Sequence, residues 1–282
     1  MCGRASLRHC GRRRLDSLYL PAYLSHTMPD DKQEKIYMTD DAQALQETME
    51  SRRSKFPPDL KERWADAMPE VRDGELIWQC RWPFVFRERI TYILGHEVMS
   101  NYQLPYMKKL AEIVTRNGGD ILEVGYGQGL ATREIESWRH KRRVQAHCVI
   151  ELNRHLAAEA RQIKNVEVIE GDYTGHLPAL EGRQFDAALY DGYPLKEDEM
   201  HRDGIVFIER LVKDRLLKPN GILTFYANAT KELGQKFRTF LNDLGFTRIE
   251  TEKVLITPPK RKRQIWRQNY FLAPIARFRG GL

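Results

Sequence analysis

From residue 119 onward the chain alternates between strand-like and helix-like stretches, and this alternation constrains the fold more than any other feature. "DILEVG" reads as a strand, "LATREIESWRH" as a helix and "VQAHCVIE" as a strand. "NRHLAAEARQI" follows as a helix, then "VEVIEG" and "FDAALYD" as strands. "GIVFIERLVKDRLL" is a helix, "GILTFYA" a strand and "KELGQKFRTFLNDLG" a helix. Two last apolar stretches, "FTRIETEKVLI" and "IWRQNYFLAPI", read as strands joined by a basic loop. Strands separated by helices pair in parallel, because each crossover must return the chain to the same edge of the sheet. The expected fold is α/β: a doubly wound, mostly parallel seven-stranded sheet that ends in an antiparallel pair.

The chain before this region is different in kind. Residues 1–39 read as a basic, flexible tail, and residues 40–95 as a helical N-terminal cover broken by Pro57-Pro58. Residues 96–282 then form the main domain. Trp78, Trp82, Phe84 and Phe86 crowd one short stretch of the cover, a density that suggests packing over something apolar. The net charge of +7 is concentrated at the ends: residues 1–14 hold five arginines and residues 257–282 hold seven Lys or Arg, with no acid in either. The body between them is left at −5. A nucleic-acid binder would spread basic residues over a working face, so no nucleic-acid partner is expected. No apolar run approaches the roughly 20 residues that cross a bilayer, so no membrane partner is expected either. Four cysteines without metal-ligand or disulfide spacing fit a reducing, cytoplasmic setting. Residues 1–27, Arg-rich and acid-poor, read as a tail, as sequence upstream of a start at Met28, or as a transit peptide.

The chemistry begins at "DILEVGYGQG". Gly125, Gly127 and Gly129 follow the first strand of the main domain and open a helix. Glycines there permit a tight turn and close approach of backbone to a ligand, and the helix start adds N–H donors. A dinucleotide enzyme would carry its third glycine at position 130, which is Leu130. Glu123, two residues before the first glycine, instead matches the pattern of S-adenosylmethionine-dependent methyltransferases, where it holds the cationic methionine end directly or through water. "VIELN" puts Glu151 at the next strand end, where an acid accepts both ribose hydroxyls. Gly171 and Asp172 in "EGDY" close the third strand, where adenine would lie. Tyr126, Gln128, Leu130, Leu152 and Asn153 complete the expected cofactor contacts.

"LYDGYPL" ends the fourth strand on Asp191, at the edge where ligands bind in open α/β sheets. A carboxylate there suits a guanidinium or ammonium acceptor, through charge-assisted pairs. With "ILGHEVM", "LPYM", "ILEVGYG", "VIELN", "FIERLVKDRLLKPNGILTFYAN" and "ITPP", the stretch resembles the guanidinoacetate N-methyltransferase family over most of residues 90–282. The resemblance implies a class I, Rossmann-like methyltransferase using S-adenosyl-L-methionine. It implies that Met99 and Met107 line the cofactor together with Tyr126, Gly127, Glu151, Gly171 and Asp172, with Trp78 reaching in from the cover. It further implies that Asp191 holds the acceptor guanidine and helps remove its proton; Tyr193 and His201 are expected beside it. In that family a second carboxylate precedes "PYM", whereas the matching position here is Gln103, so the acceptor clamp falls from two negative charges to one. The expected activity is N-methylation of a small guanidine. The alternatives are a small-molecule amine N-methyltransferase or a protein or peptide arginine methyltransferase. The sequence leaves self-association as a homodimer open.

Overall fold

The computed structural model describes residues 59–78, 85–195, 199–227, 233–262 and 269–280. Residues 1–58, and Trp82 and Phe84 with them, lie outside the described residues. The first element among the described residues is helix α1 (Leu60–Asp66), followed by strands β1 (Glu70–Trp78), β2 (Val85–Ile93) and β3 (His96–Ser100). These strands pair as a three-stranded antiparallel sheet in the order β1-β2-β3. The expectation of a helical cover is therefore corrected: one short helix is present, and the rest of the described cover is a sheet that runs on to Ser100. Its strand character is masked in the sequence because Glu88 occupies an inward-facing position on β2 and is fully buried.

Helix α2 (Leu104–Val114) leads into the main sheet: β4 (Gly119–Val124), α3 (Leu130–Ser137), α4 (Arg139–Arg142), β5 (Val144–Glu151), α5 (Arg154–Ala160) and β6 (Val166–Glu170). Then come α6 (Tyr173–His176), β7 (Phe185–Tyr190), α7 (Glu199–Lys213), β8 (Leu217–Phe225), α8 (Gln235–Asp243), β9 (Phe246–Leu255) and β10 (Tyr270–Phe278). The sheet has seven strands in the order β6-β5-β4-β7-β8-β10-β9. Strands β4 to β8 pair in parallel, and β10 runs antiparallel between β8 and β9. The doubly wound fold is thus as the alternation predicts.

Two cores sandwich this sheet. Leu122, Phe185, Phe207, Leu223, Phe237 and Phe246 pack on one face. Tyr106, Leu110, Ile113, Ile121, Ile222 and Phe271 pack on the other. Strands buried on both faces explain why "DILEV" and "FDAALY" are nearly continuous apolar runs with no alternation. The strand order reverses between β5 and β7, on either side of β4, so the ends of β4, β5 and β7 open on a common crevice.

Clasping the two sheets together is the loop between β9 and β10. Arg261 donates to Glu97 Oε2 at 2.7 Å and to buried Glu88 Oε1 at 2.5 Å. The Ser100 hydroxyl donates to the same Glu88 oxygen at 2.7 Å. A buried carboxylate without such partners would be strongly destabilising, so this contact fixes where the small sheet sits.

Candidate active site

The loop after β4 holds Gly125, Gly127 and Gly129 at φ of 90°, 57° and 66°, in the left-handed region that disfavours any side chain. Close packing reinforces the requirement at all three: a Cβ on Gly129 would lie 2.5 Å from Tyr126 Cζ. A Cβ on Gly125 would lie 2.2 Å from the Asp191 carbonyl oxygen, and one on Gly127 would lie 2.9 Å from Met99 Cε. The loop is thus pressed between the end of β7 and the side chain of Met99 on β3. Asp191 N–H donates to Val124 O at 2.8 Å, so the end of β7 and the glycine loop are joined through the backbone.

Glu151 closes β5 and is 6 % exposed. Its Oε2 accepts the Tyr126 N–H at 2.8 Å and its Oε1 accepts the Asn153 N–H at 2.7 Å. Burial raises its pKa, and the N–H groups of Tyr126, Asn153 and Gly127 only partly offset that rise. Glu151 therefore braces the glycine loop. Next along the edge, Gly171 takes φ 138°, and a Cβ there would meet His176 Cε1 at 2.2 Å. Asp172 caps α6 and pairs with Lys61 of the segment before β1 at 2.7 Å. Burial would raise the Asp172 carboxyl, but Lys61 and Thr174 hold it below the usual carboxylate value.

Several residues expected around the cofactor have other partners. Both Glu123 oxygens are engaged in the interior: Thr132 donates to Oε1 at 2.9 Å, and Oε2 lies 2.8 Å from His147 Nε2. His147 is fully buried and also meets Glu136 at 3.0 Å, so Glu123 belongs to a buried carboxylate–imidazole chain and does not reach directly for a ligand. Asn153 is committed too: its Oδ1 caps α5, and its Nδ2 donates to Trp64 O and Ala67 O, both at 2.7 Å. Gln128 donates from Nε2 to Arg89 O, Thr91 Oγ1 and Met99 O, tying the glycine loop to the small sheet. Met107 is 1 % exposed within the core cluster that also contains Met99, and Leu152 packs against the cluster of Trp64, Tyr126 and Leu156. Leu130 is the first residue of α3, and the ring of Tyr126 lies under Gly129, with Arg133 donating to its hydroxyl at 3.1 Å. Trp78 ends β1 and His201 sits in the first turn of α7; both side chains lie outside the described residues.

At the end of β7, the Asp191 carboxylate is partly buried and receives no hydrogen bond from any described residue. Burial pushes its pKa well above the carboxylate range, and the charges of Glu123 and Glu151 add to the rise. Tyr193 stacks on Trp64 at 4.8 Å and 19°, with its hydroxyl 3.4 Å from His96 Nδ1. Burial, then Glu97, pushes that hydroxyl up to about 12, so Tyr193 is a neutral latch between the strand end and α1. Gln103 Nε2 donates to the Tyr226 hydroxyl at 2.6 Å. Tyr226 follows β8, and its N–H donates to Tyr190 O at 2.8 Å, which sets it beside the residue preceding Asp191. Sequence reading missed Tyr226, Lys61, Trp64 and His147; only the position of Tyr226, one residue past a strand at the ligand edge, offered a signal.

A glycine loop that excludes side chains at three positions, with a braced carboxylate at the next strand end, fits the adenosine of S-adenosylmethionine. The fold and site together define a class I S-adenosylmethionine-dependent methyltransferase. The profile of the guanidinoacetate N-methyltransferase family matches residues 84–269, and the chain belongs to that family. Among solved structures, the methyltransferase in a complex with a methyltransferase activator from Haloferax volcanii is 14% identical, with a TM-score of 0.46 over 64% of this chain and 91% of that one. The precorrin-6y C5,15-methyltransferase of Geobacter metallireducens is 15% identical, with a TM-score of 0.41 over 62% and 86%. An S-adenosylmethionine-dependent methyltransferase of Archaeoglobus fulgidus is 12% identical, with a TM-score of 0.41 over 62% and 92%. Among the described residues no helix is long and apolar enough to cross a membrane.

Proposed function

We propose that this methyltransferase acts on the guanidino group of a small molecule, with Asp191 orienting the acceptor and taking the proton that leaves its nitrogen. The observation that carries the reading is the Asp191 carboxylate. It stands at the crevice, joined by backbone to the cofactor loop, with no described hydrogen-bond donor of its own. A carboxylate left unpartnered in a partly buried site is destabilising unless a ligand supplies the donors. A guanidine supplies them in a planar, paired arrangement.

S-adenosylmethionine, when bound, supplies an electrophilic methyl group on a sulfonium. The glycine loop, Glu151 and Gly171 are the residues that would hold it. Asp191 has two tasks. Its charge fixes the guanidine plane so that one nitrogen faces the crevice, which replaces a costly encounter with a held geometry. Its raised pKa then makes it a stronger base than a free carboxylate, suited to accept a proton from a group that is cationic in water. Tyr193, held by Trp64 and His96, keeps the strand end in place and shields it from solvent. The activity is tested by methyl transfer from S-adenosylmethionine to small guanidines, amines and arginine peptides offered in parallel. Preferred turnover of a small guanidine supports the reading; methylation confined to amines or to peptides overturns it.

A further inference from the structure

At the edge of the main sheet opposite the cofactor crevice, β8, β9 and β10 border a cavity of about 320 Å³, lined by Asn220, Thr247, Arg248, Arg277, Phe278 and Arg279. The topology puts it there. Strand β8 runs parallel to β7, which leads to Asp191, and β10 returns antiparallel, setting Arg277 against Ile222 in the first half of β8. Thr247 on β9 faces Arg277 on β10 and Glu250 faces Ile275, so Arg248 and Ile249 stand opposite Ala276 alone. Two residues against one make a β-bulge, the device that re-aims a strand side chain. Arg248 takes up the bulge at φ 50°, a left-handed backbone that favours glycine. Arg279 is tied down by its N–H, which donates to Gly245 O at 2.9 Å. Phe278, whose ring centroid lies 5.4 Å from that of Phe246, supplies the apolar part of the lining.

Three arginines thus line one cavity that no carboxylate lines. None of the three forms an ion pair with any described residue. Neighbouring cations differ: Lys218 on β8 pairs with Asp186 at 2.7 Å and Asp120 at 3.5 Å, and Arg116 pairs with Glu252 on β9 at 2.6 Å. The nearby acids are engaged elsewhere, and the charge at the cavity is left unanswered. Like charges gathered at one concavity repel each other and raise the local concentration of anions. One negative charge would balance one guanidinium, so three call for a ligand with two or more. Guanidinium forks match the oxygens of carboxylates and phosphates in paired, charge-assisted hydrogen bonds. We propose that this cavity is a second ligand site, separate from the cofactor crevice, for a small polyanion bearing two or more phosphate or carboxylate groups. The site is independent of the guanidine reading given above.

Titration calorimetry of the full chain tests this at about 0.15 M salt, where weak surface attraction is screened. S-adenosylmethionine is present in excess to fill the crevice, the probes are inorganic pyrophosphate and citrate, and acetate is the monovalent control. At least one probe should bind saturably, one per chain, and about tenfold or more tighter than acetate, the gain from added hydrogen bonds to charged groups. The tighter of the two tells phosphate from carboxylate chemistry. Arg277→Gln and Arg248→Gly should each weaken that binding by about tenfold or more. Glycine suits the left-handed backbone at position 248, so the melting temperature of Arg248→Gly should not fall, which separates lost binding from lost folding. Lys164→Gln removes an exposed charge beside β6, at the other edge of the sheet, and should leave the affinity within about twofold. Three results overturn the inference: no saturable binding of either probe, binding no tighter than that of acetate, or binding that the arginine substitutions weaken no more than Lys164→Gln does.

Discussion

Replacing Asp191 by asparagine should move stability and activity in opposite directions. The wild-type carboxylate sits partly buried with no described donor, and burial, Glu123 and Glu151 together hold its pKa well above 3.8. A carboxyl whose folded value lies above its unfolded one contributes its stability in full below the unfolded pKa and loses it as pH rises through the folded pKa. At alkaline pH the wild type therefore carries a cost for the charge that is absent in acid. Asparagine keeps the shape and carries none of it. Relief at a strained functional position gains about 0.5–2 kcal/mol. For a chain of this size that corresponds to a melting temperature higher by roughly 1–8 °C. The gain should shrink as pH is lowered and vanish only below the unfolded value of 3.8, where the wild-type carboxyl is protonated in both states. Turnover should fall about 10²–10⁴-fold, the usual contribution of a positioned base, while S-adenosylmethionine affinity falls far less. Scanning calorimetry of the ligand-free protein at pH 8 and pH 5, with a radiolabelled methyl-transfer assay, reads both effects. A lower melting temperature at pH 8 would show that Asp191 is a structural turn residue. Near-normal turnover would remove it from the acceptor site.

Three further outcomes are expected. Glu151→Gln leaves either the Tyr126 or the Asn153 N–H without its acceptor, which costs about 1–3 kcal/mol. Melting temperature should fall and the Kd for S-adenosylmethionine should rise at least tenfold; an unchanged Kd by calorimetry would confine Glu151 to bracing the loop. Burial pulls the His147 pKa down, but hydrogen bonds to Glu123 and Glu136 outweigh it and the net shift is upward. That stability is fully present below the unfolded value of 6.5 and is lost as pH rises through the folded one. Melting temperature plotted against pH should thus decline above 6.5, and His147→Gln should flatten that decline; a wild-type profile that is already flat would refute the buried charged chain. Arg261→Ala strands buried Glu88, and because Arg261 is partly exposed the loss should be about 2–3 kcal/mol, below the 3–5 of fully buried pairs. Denaturant unfolding of Arg261→Ala beside the Arg261→Met, Glu88→Gln double variant checks this, since the double variant should recover most of the loss.

The sequence by itself determined the main sheet and the skeleton of the site. Strand and helix periods are local, so "VQAHCVIE" and "NRHLAAEARQI" declare themselves without reference to any other part of the chain. Glycines at 125, 127 and 129 and acids at 151 and 191 were equally legible, because a parallel sheet places every strand end along one edge. Tertiary structure decided what those residues touch. Glu123, Gln128 and Asn153 are polar residues in the right places, yet each is committed to a partner that neighbouring positions do not reveal, from His147 on β5 to Trp64 in α1. The small sheet was misread as helical because its inward position at Glu88 is charged, and the arginine that makes this tolerable lies 173 residues away. Gln103 and Tyr226 are 123 residues apart, and only the packed fold brings the amide and the phenol into a hydrogen bond. Backbone periodicity is written in short stretches of chain, whereas the pairing of buried polar groups is settled only when distant segments are packed together.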